Sequence, residues 1–134
     1  MITTLSALLI VSAVVAIYYW ADFFIRGGVH VTKEAWYLKF ERAFPPADLW
    51  MSACAIAGAA GLLTEQTYGL VFALLTAGSL LFLALMDITF NVQNGLYRLL
   101  STSSQMRFEL LLNIWALGLG IALIVCLSPK IAFG

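Results

Sequence analysis

In the stretch MDITFNVQNGLYR, residues 86–98, Asp87, Asn91, Asn94 and Arg98 follow at intervals of four, three and four residues, closing an apolar run that begins at Leu70. With about 100° of rotation per helical residue, they stay within about 40° of one another and make a single polar stripe. A carboxylate between amides on an apolar helix has two chemical uses. It can exchange a proton with a ligand as general acid or base, or it can hold a cation or polar headgroup through charge-assisted hydrogen bonds. Other carboxylates are spaced to join it. Glu109 and Asn113 are four residues apart and share a helix face, as do Asp48 with Ser52 and Tyr18 with Asp22. The candidate pocket is therefore Asp87, Asn91, Asn94, Asp48, Asp22, Glu109 and Asn113, with Glu41 brought in from a loop. Acids gathered this closely repel, so a proton, a bound cation, Arg26 or Arg98 has to offset them.

Each acid also has an ordinary structural explanation. Asp48 follows Pro45-Pro46, where a helix start is expected, and an acid in a first turn is favoured by the helix dipole and caps free N–H groups. Glu109 has the same explanation in the first turn of the last helix. Asp22 sits near a helix C-terminus, which disfavours negative charge, and Arg26 one turn later is its natural partner. Asp87 is harder to dismiss. It lies roughly 26 Å along its helix at ~1.5 Å per residue, inside a hydrocarbon core ~30 Å thick. An unshielded carboxylate there costs roughly 3 kcal/mol, so it must face other helices or an aqueous cavity. The structural alternative is interhelical adhesion, with Asn91 and Asn94 contributing about 0.6 kcal/mol each.

The elements that carry these residues are apolar. Of 134 residues, 63% are hydrophobic and 10% charged, against about 25% charged in an ordinary soluble domain. Four runs, residues 2–25, 46–63, 70–100 and 108–127, each approach or exceed the ~20 residues needed to span a bilayer and must be helical there. The third, being longest, is expected to tilt or to project from the bilayer. TEQTYG joins the second and third runs as a tight hairpin, and the hydroxyls of STSSQMR are placed to cap the last helix. The first run lacks a basic leader and exceeds the usual signal-peptide core, so it reads as a retained span. The first loop, residues 26–48, contains Trp36, Tyr37, Phe40 and Phe44 among Lys33, Lys39 and Arg42. That mixture suits a short amphipathic helix in the headgroup region, either a brace or a cover that carries Glu41 to the pocket.

The chain thus reads as an all-α polytopic integral membrane protein, one domain over residues 1–134. Its architecture is an antiparallel bundle of four transmembrane helices with a short interfacial helix. Arg26, Lys33, Lys39, Arg42, Arg98 and Arg107 fall in the first and third loops, and Lys130 alone lies on the other side. The positive-inside rule places those loops in the cytoplasm, both termini outside, and the protein in a plasma or inner membrane. In the second run, Ala53, Ala57 and Gly61, with Cys54 and Gly58, form small-residue ridges for close helix contact within one chain or between copies, and Gly118 and Gly120 offer a matching face.

Zero net charge gives no case for nucleic acid. No P-loop, dinucleotide fingerprint, zinc-protease helix or nucleophile elbow is present. Cys54 and Cys126 lie apart in apolar runs and His30 stands alone, so neither a metal nor a cofactor is expected. The polar groups collect at one end, which favours an acidic, cytoplasm-facing pocket for a small or lipidic ligand, with acid–base chemistry on a lipid or isoprenoid. Two alternatives stand beside it. One is an accessory or assembly subunit docking a larger membrane partner. The other is a cation- or proton-coupled transporter component, whose outer path would need Ser6, Ser12, Thr76 and Ser79. Membrane lipid, a second copy and a larger complex are the expected partners.

Overall fold

The computed structural model describes residues 1–28 and 30–131. The described elements are all helical: α1 (Ile2–Arg26), α2 (Ala35–Glu41), α3 (Pro45–Leu63), α4 (Thr67–Gln93) and α5 (Ser104–Leu127), with short 3-10 segments at Leu96–Ser101 and Ser128–Lys130. Four helical stretches, Ile2–Arg26, Ala35–Leu63, Thr67–Gln93 and Ser104–Lys130, are long and apolar enough to cross a membrane. Residues 132–134, on which the sidedness of the C-terminus bears, and Val29 of the first loop lie outside the described residues.

Local signals set most helix ends. Pro45 and Pro46 open α3 where a missing N–H costs nothing. The Ser103 hydroxyl accepts from the Met106 N–H at 3.2 Å and starts α5 four residues before the apolar run itself. The third apolar run, read as continuous over residues 70–100, does not stay one α-helix. Its α-helix stops at Gln93, the Asn94 amide donates to the Phe90 carbonyl at 2.9 Å, and Gly95 turns the chain at φ 63°. A left-handed residue at this position is the ordinary C-terminal stop, and only glycine takes it without strain. Asn94 and Arg98 therefore leave the stripe that begins at Asp87.

Packing runs in sequence: α1 against α3, α3 against α4, α4 against α5. Leu5, Leu9, Met51, Ala55, Ala77, Leu80, Leu119 and Leu123 form the main core. The tightest seam joins α3 to α4. Gly61 lies so close to Gly69 that a Cβ on either would strike the other's backbone, and a Cβ on Gly58 would come within 2.8 Å of the Ala73 nitrogen. Gly58 and Gly61 of the small-residue ridge thus find their partner on α4, while Ala53 stays exposed. Of the two glycines proposed to match it, Gly120 packs against Leu81 and Ala77 of α4, and a Cβ on Gly118 would meet open space.

The outer helices α1 and α5 share no such flank, and a hydrogen bond from Trp115 Nε1 to Ser12 Oγ at 2.9 Å bridges them. Short α2 folds back over the end where α4 and α5 meet. Its Phe40 ring stacks on Phe90 with centroids 3.6 Å apart, and Tyr37 is buried with Leu96 and Met106.

Candidate functional site

The residues that α2, α4 and α5 bring together are carboxylates. Glu41, Asp87 and Glu109 each place one oxygen within 4.8 Å of the other two. Asp87 is buried and takes two amide donors on its Oδ2, from Asn113 at 2.6 Å and from Asn91 at 3.3 Å. Phenols serve the other two: Tyr37 donates to Glu109 Oε1 at 3.1 Å and Tyr19 to Glu41 Oε2 at 3.4 Å. A fourth acid, Asp48 at the start of α3, accepts from Trp20 Nε1 at 2.6 Å. Neutral donors from several helices thus surround four acids, and among the described residues no basic side chain pairs with any of them. Among the described residues the one ion pair is Arg26 with Asp22 at 3.9 Å, on the surface of α1.

Acceptor capacity is left over. Glu109 Oε2 and Asn91 Oδ1 are buried without a hydrogen-bond partner. The Tyr97 hydroxyl lies near Asn91 but does not reach hydrogen-bond geometry. A carboxylate trio of this spacing has the hard oxygen donors that magnesium, manganese or calcium takes. A proton or an ammonium group answers the same surplus of negative charge.

The acids stand at the end of a groove with a volume of about 410 Å³. Its walls are Val11, Val15 and Ala16 of α1, Met51 of α3, Leu80, Leu83 and Ala84 of α4, and Leu112 and Ala116 of α5. The mouth lies along the side of the molecule, between α1 and α5, where Val11 is 47% exposed and Leu111 62% exposed. At the acidic end the groove is covered by α2, held by the Phe40–Phe90 stack and by buried Tyr37. A second cavity of about 10 Å³, room for about one water, touches Glu109 between Tyr19, Tyr37 and Phe108.

No known protein family, curated protein or solved structure matches this chain. The site has to be read from its own geometry.

That geometry sorts the residues named from sequence. Asp87, Asn91, Asn113, Glu41 and Glu109 come together, and Asp48 lines the same groove. Asp22 does not join them, because it faces outward and pairs with Arg26 one turn on. Asn94 is exposed and ends α4. Glu109 is not a first-turn acid: α5 begins at Ser104, which puts Glu109 in the second turn, against Asp87. Asp48 does sit in the first turn of α3, but its carboxylate takes an indole N–H and makes no cap hydrogen bond. His30 lies against Phe23, ring centroids 5.0 Å apart, and does not line the groove.

The sequence reading does not single out Tyr19, Trp20, Tyr37 or Trp115 as site residues, and it names Ser12 only for an outer path. A face-by-face reading paired Asp22 with Tyr18, which is 66% exposed, when its neighbours Tyr19 and Trp20 supply the donors. Buried acids need donors, and the aromatic residues with an N–H or O–H near either end of the first loop were the available signal.

Proposed function

We propose that this protein is a polytopic membrane protein, a four-helix bundle that binds a lipidic small molecule. The ligand enters sideways from the bilayer between α1 and α5 and sets its polar end among Glu41, Asp48, Asp87 and Glu109. One observation carries the reading: an apolar groove with its mouth on the side of the molecule ends at acids that, among the described residues, no basic side chain pairs with. Its volume of about 410 Å³ falls within the ~300–1,000 Å³ typical of small-molecule sites. Buried carboxylates with phenol and amide neighbours can give or take a proton at the ligand's polar end, which makes acid–base chemistry on a lipid the natural activity.

The polar end of the chain belongs in the cytoplasmic leaflet. Arg26, Lys33, Lys39, Arg42, Arg98 and Arg107 all lie in or beside the loops at that end, as the positive-inside rule requires. Transport is less well supported. Of the four hydroxyls that would line an outer path, three are turned to their own helices: Ser12 donates to Leu8, Thr76 to Phe72 and Ser79 to Leu75, while Ser6 Oγ is buried without a partner. Docking of a larger partner through these carboxylates is also less well supported, because α2 covers them.

The test is the molecule that copurifies. Native mass spectrometry of protein released from its membrane in mild detergent should show a bound small molecule. In Ala16→Phe and Ala116→Phe, whose new rings fill the groove, it should be lost while folding persists. Wild-type protein carrying no more bound lipid than these variants would refute the reading.

A further inference from the structure

The chemistry of the ligand's polar end follows from the donors and acceptors at the acidic end of the groove. Every side-chain hydrogen-bond donor that reaches Glu41, Asp48, Asp87 and Glu109 is neutral: Tyr19, Trp20, Tyr37, Asn91 and Asn113. In the groove itself, acceptor capacity is left over at Glu109 Oε2, which is buried without a hydrogen-bond partner beside Asp87 and Glu41. The empty place therefore asks for a group that is positive and donates hydrogen bonds.

Access narrows the choice. At the loop side, the cavity touching Glu109 has room for about one water, too little for a hydrated divalent ion. The wide route is the apolar mouth between α1 and α5, which admits an amphiphile. We infer that the ligand is a lipophilic amine, its protonated N–H-bearing nitrogen seated among Glu41, Asp87 and Glu109 and its hydrocarbon body lying in the groove between α1 and α5. This rests on the groove being a lipid site.

The experiment uses the full chain in phosphatidylcholine nanodiscs. Trp36→Phe and Trp50→Phe leave Trp20 and Trp115, both at the groove, as the fluorescent reporters. Dodecylamine, dodecyltrimethylammonium, dodecanol and dodecanoate are titrated separately. Dodecylamine should give a saturable change, and dodecanoate none. The trimethyl analogue has the charge but no N–H donor, and should bind about tenfold more weakly. Combining Glu109→Gln with Asp87→Asn should weaken dodecylamine by about tenfold or more, with thermal unfolding showing that the variant is folded. The comparison between the two cations needs no variant, so it decides even if the double substitution misfolds.

Equal binding of the trimethyl compound, or of dodecanol, overturns the amine assignment and leaves the groove as a lipid site. Loss of both signals in Ala16→Phe would confirm that distinction. Manganese alone, if it quenches saturably and displaces dodecylamine, makes the trio a metal site and also overturns the amine. If no probe gives a saturable signal and Ala16→Phe changes nothing, the amine and the lipid site fall together.

Discussion

Asp87 is the residue on which the acidic end turns, since two buried amides donate to a single one of its oxygens. Asp87→Asn keeps the shape and an acceptor oxygen while removing charge that the neighbouring Glu41 and Glu109 oppose. Unfolding in detergent should therefore occur at the same temperature or higher, while ligand retention falls. Asp87→Leu is a different perturbation. It strands the Asn91 and Asn113 donors in a buried site, at about 1–3 kcal/mol for each, and should lower the unfolding temperature clearly. Equal thermal stability of the two variants would show that these amides have other partners, and the network centred on Asp87 would be wrong. Asn94→Ala serves as a control, because that side chain is exposed and bonds only to the end of its own helix. It should leave ligand retention unchanged.

At the scale of helices, glycine position separates structural need from composition. Gly61 and Gly69 allow α3 and α4 to touch backbone to backbone, whereas Gly118 on α5 faces open space. Gly61→Ala should destabilise by about 1–3 kcal/mol, the usual cost of overpacking, and Gly118→Ala should be neutral or stabilising. Thermal melts of the two variants in one detergent check this, and similar losses would place the tight seam elsewhere. Because Gly58 and Gly61 are used against α4, a bulky substitution there should damage folding, and the ridge gives no support to self-association. The helices themselves were legible from hydropathy, since each stretch long enough to cross a bilayer left an apolar run. Their ends and partners were less so. The stop at Gln93 comes from a polar C-cap and a left-handed glycine inside a run that stays largely apolar to Leu100. The donors to the acids come from other helices, and one helix's periodicity holds no information about which neighbour it meets. Hence Asp87, Asn91 and Asn113 were found by face, Tyr19 and Trp20 were missed, and Asp22 was included although Arg26 satisfies it locally.

For the whole molecule, the groove's acids and the basic loops occupy the same end, and in the proposed function this coincidence would set the ligand's leaflet. Six of the seven Lys and Arg residues fall in or beside the loops before α3 and between α4 and α5, yet none pairs with a groove acid among the described residues. Under the proposed reading their use is with the membrane surface, and the positive-inside rule puts that end on the cytoplasmic side. The groove runs from Glu109 toward Val11 along α1 and α5. In the proposed orientation its polar terminus would lie at cytoplasmic headgroup depth, and an amphiphile from that leaflet would enter without turning over. Single cysteines test the orientation in a background with Cys54 and Cys126 replaced by Ala. Glu65→Cys, in the hairpin between α3 and α4, should react with a membrane-impermeant maleimide on intact cells. Ser101→Cys, at the basic end, should react only after permeabilisation. The opposite pattern would put the carboxylates in the outer leaflet, and the ligand would then have to come from that side.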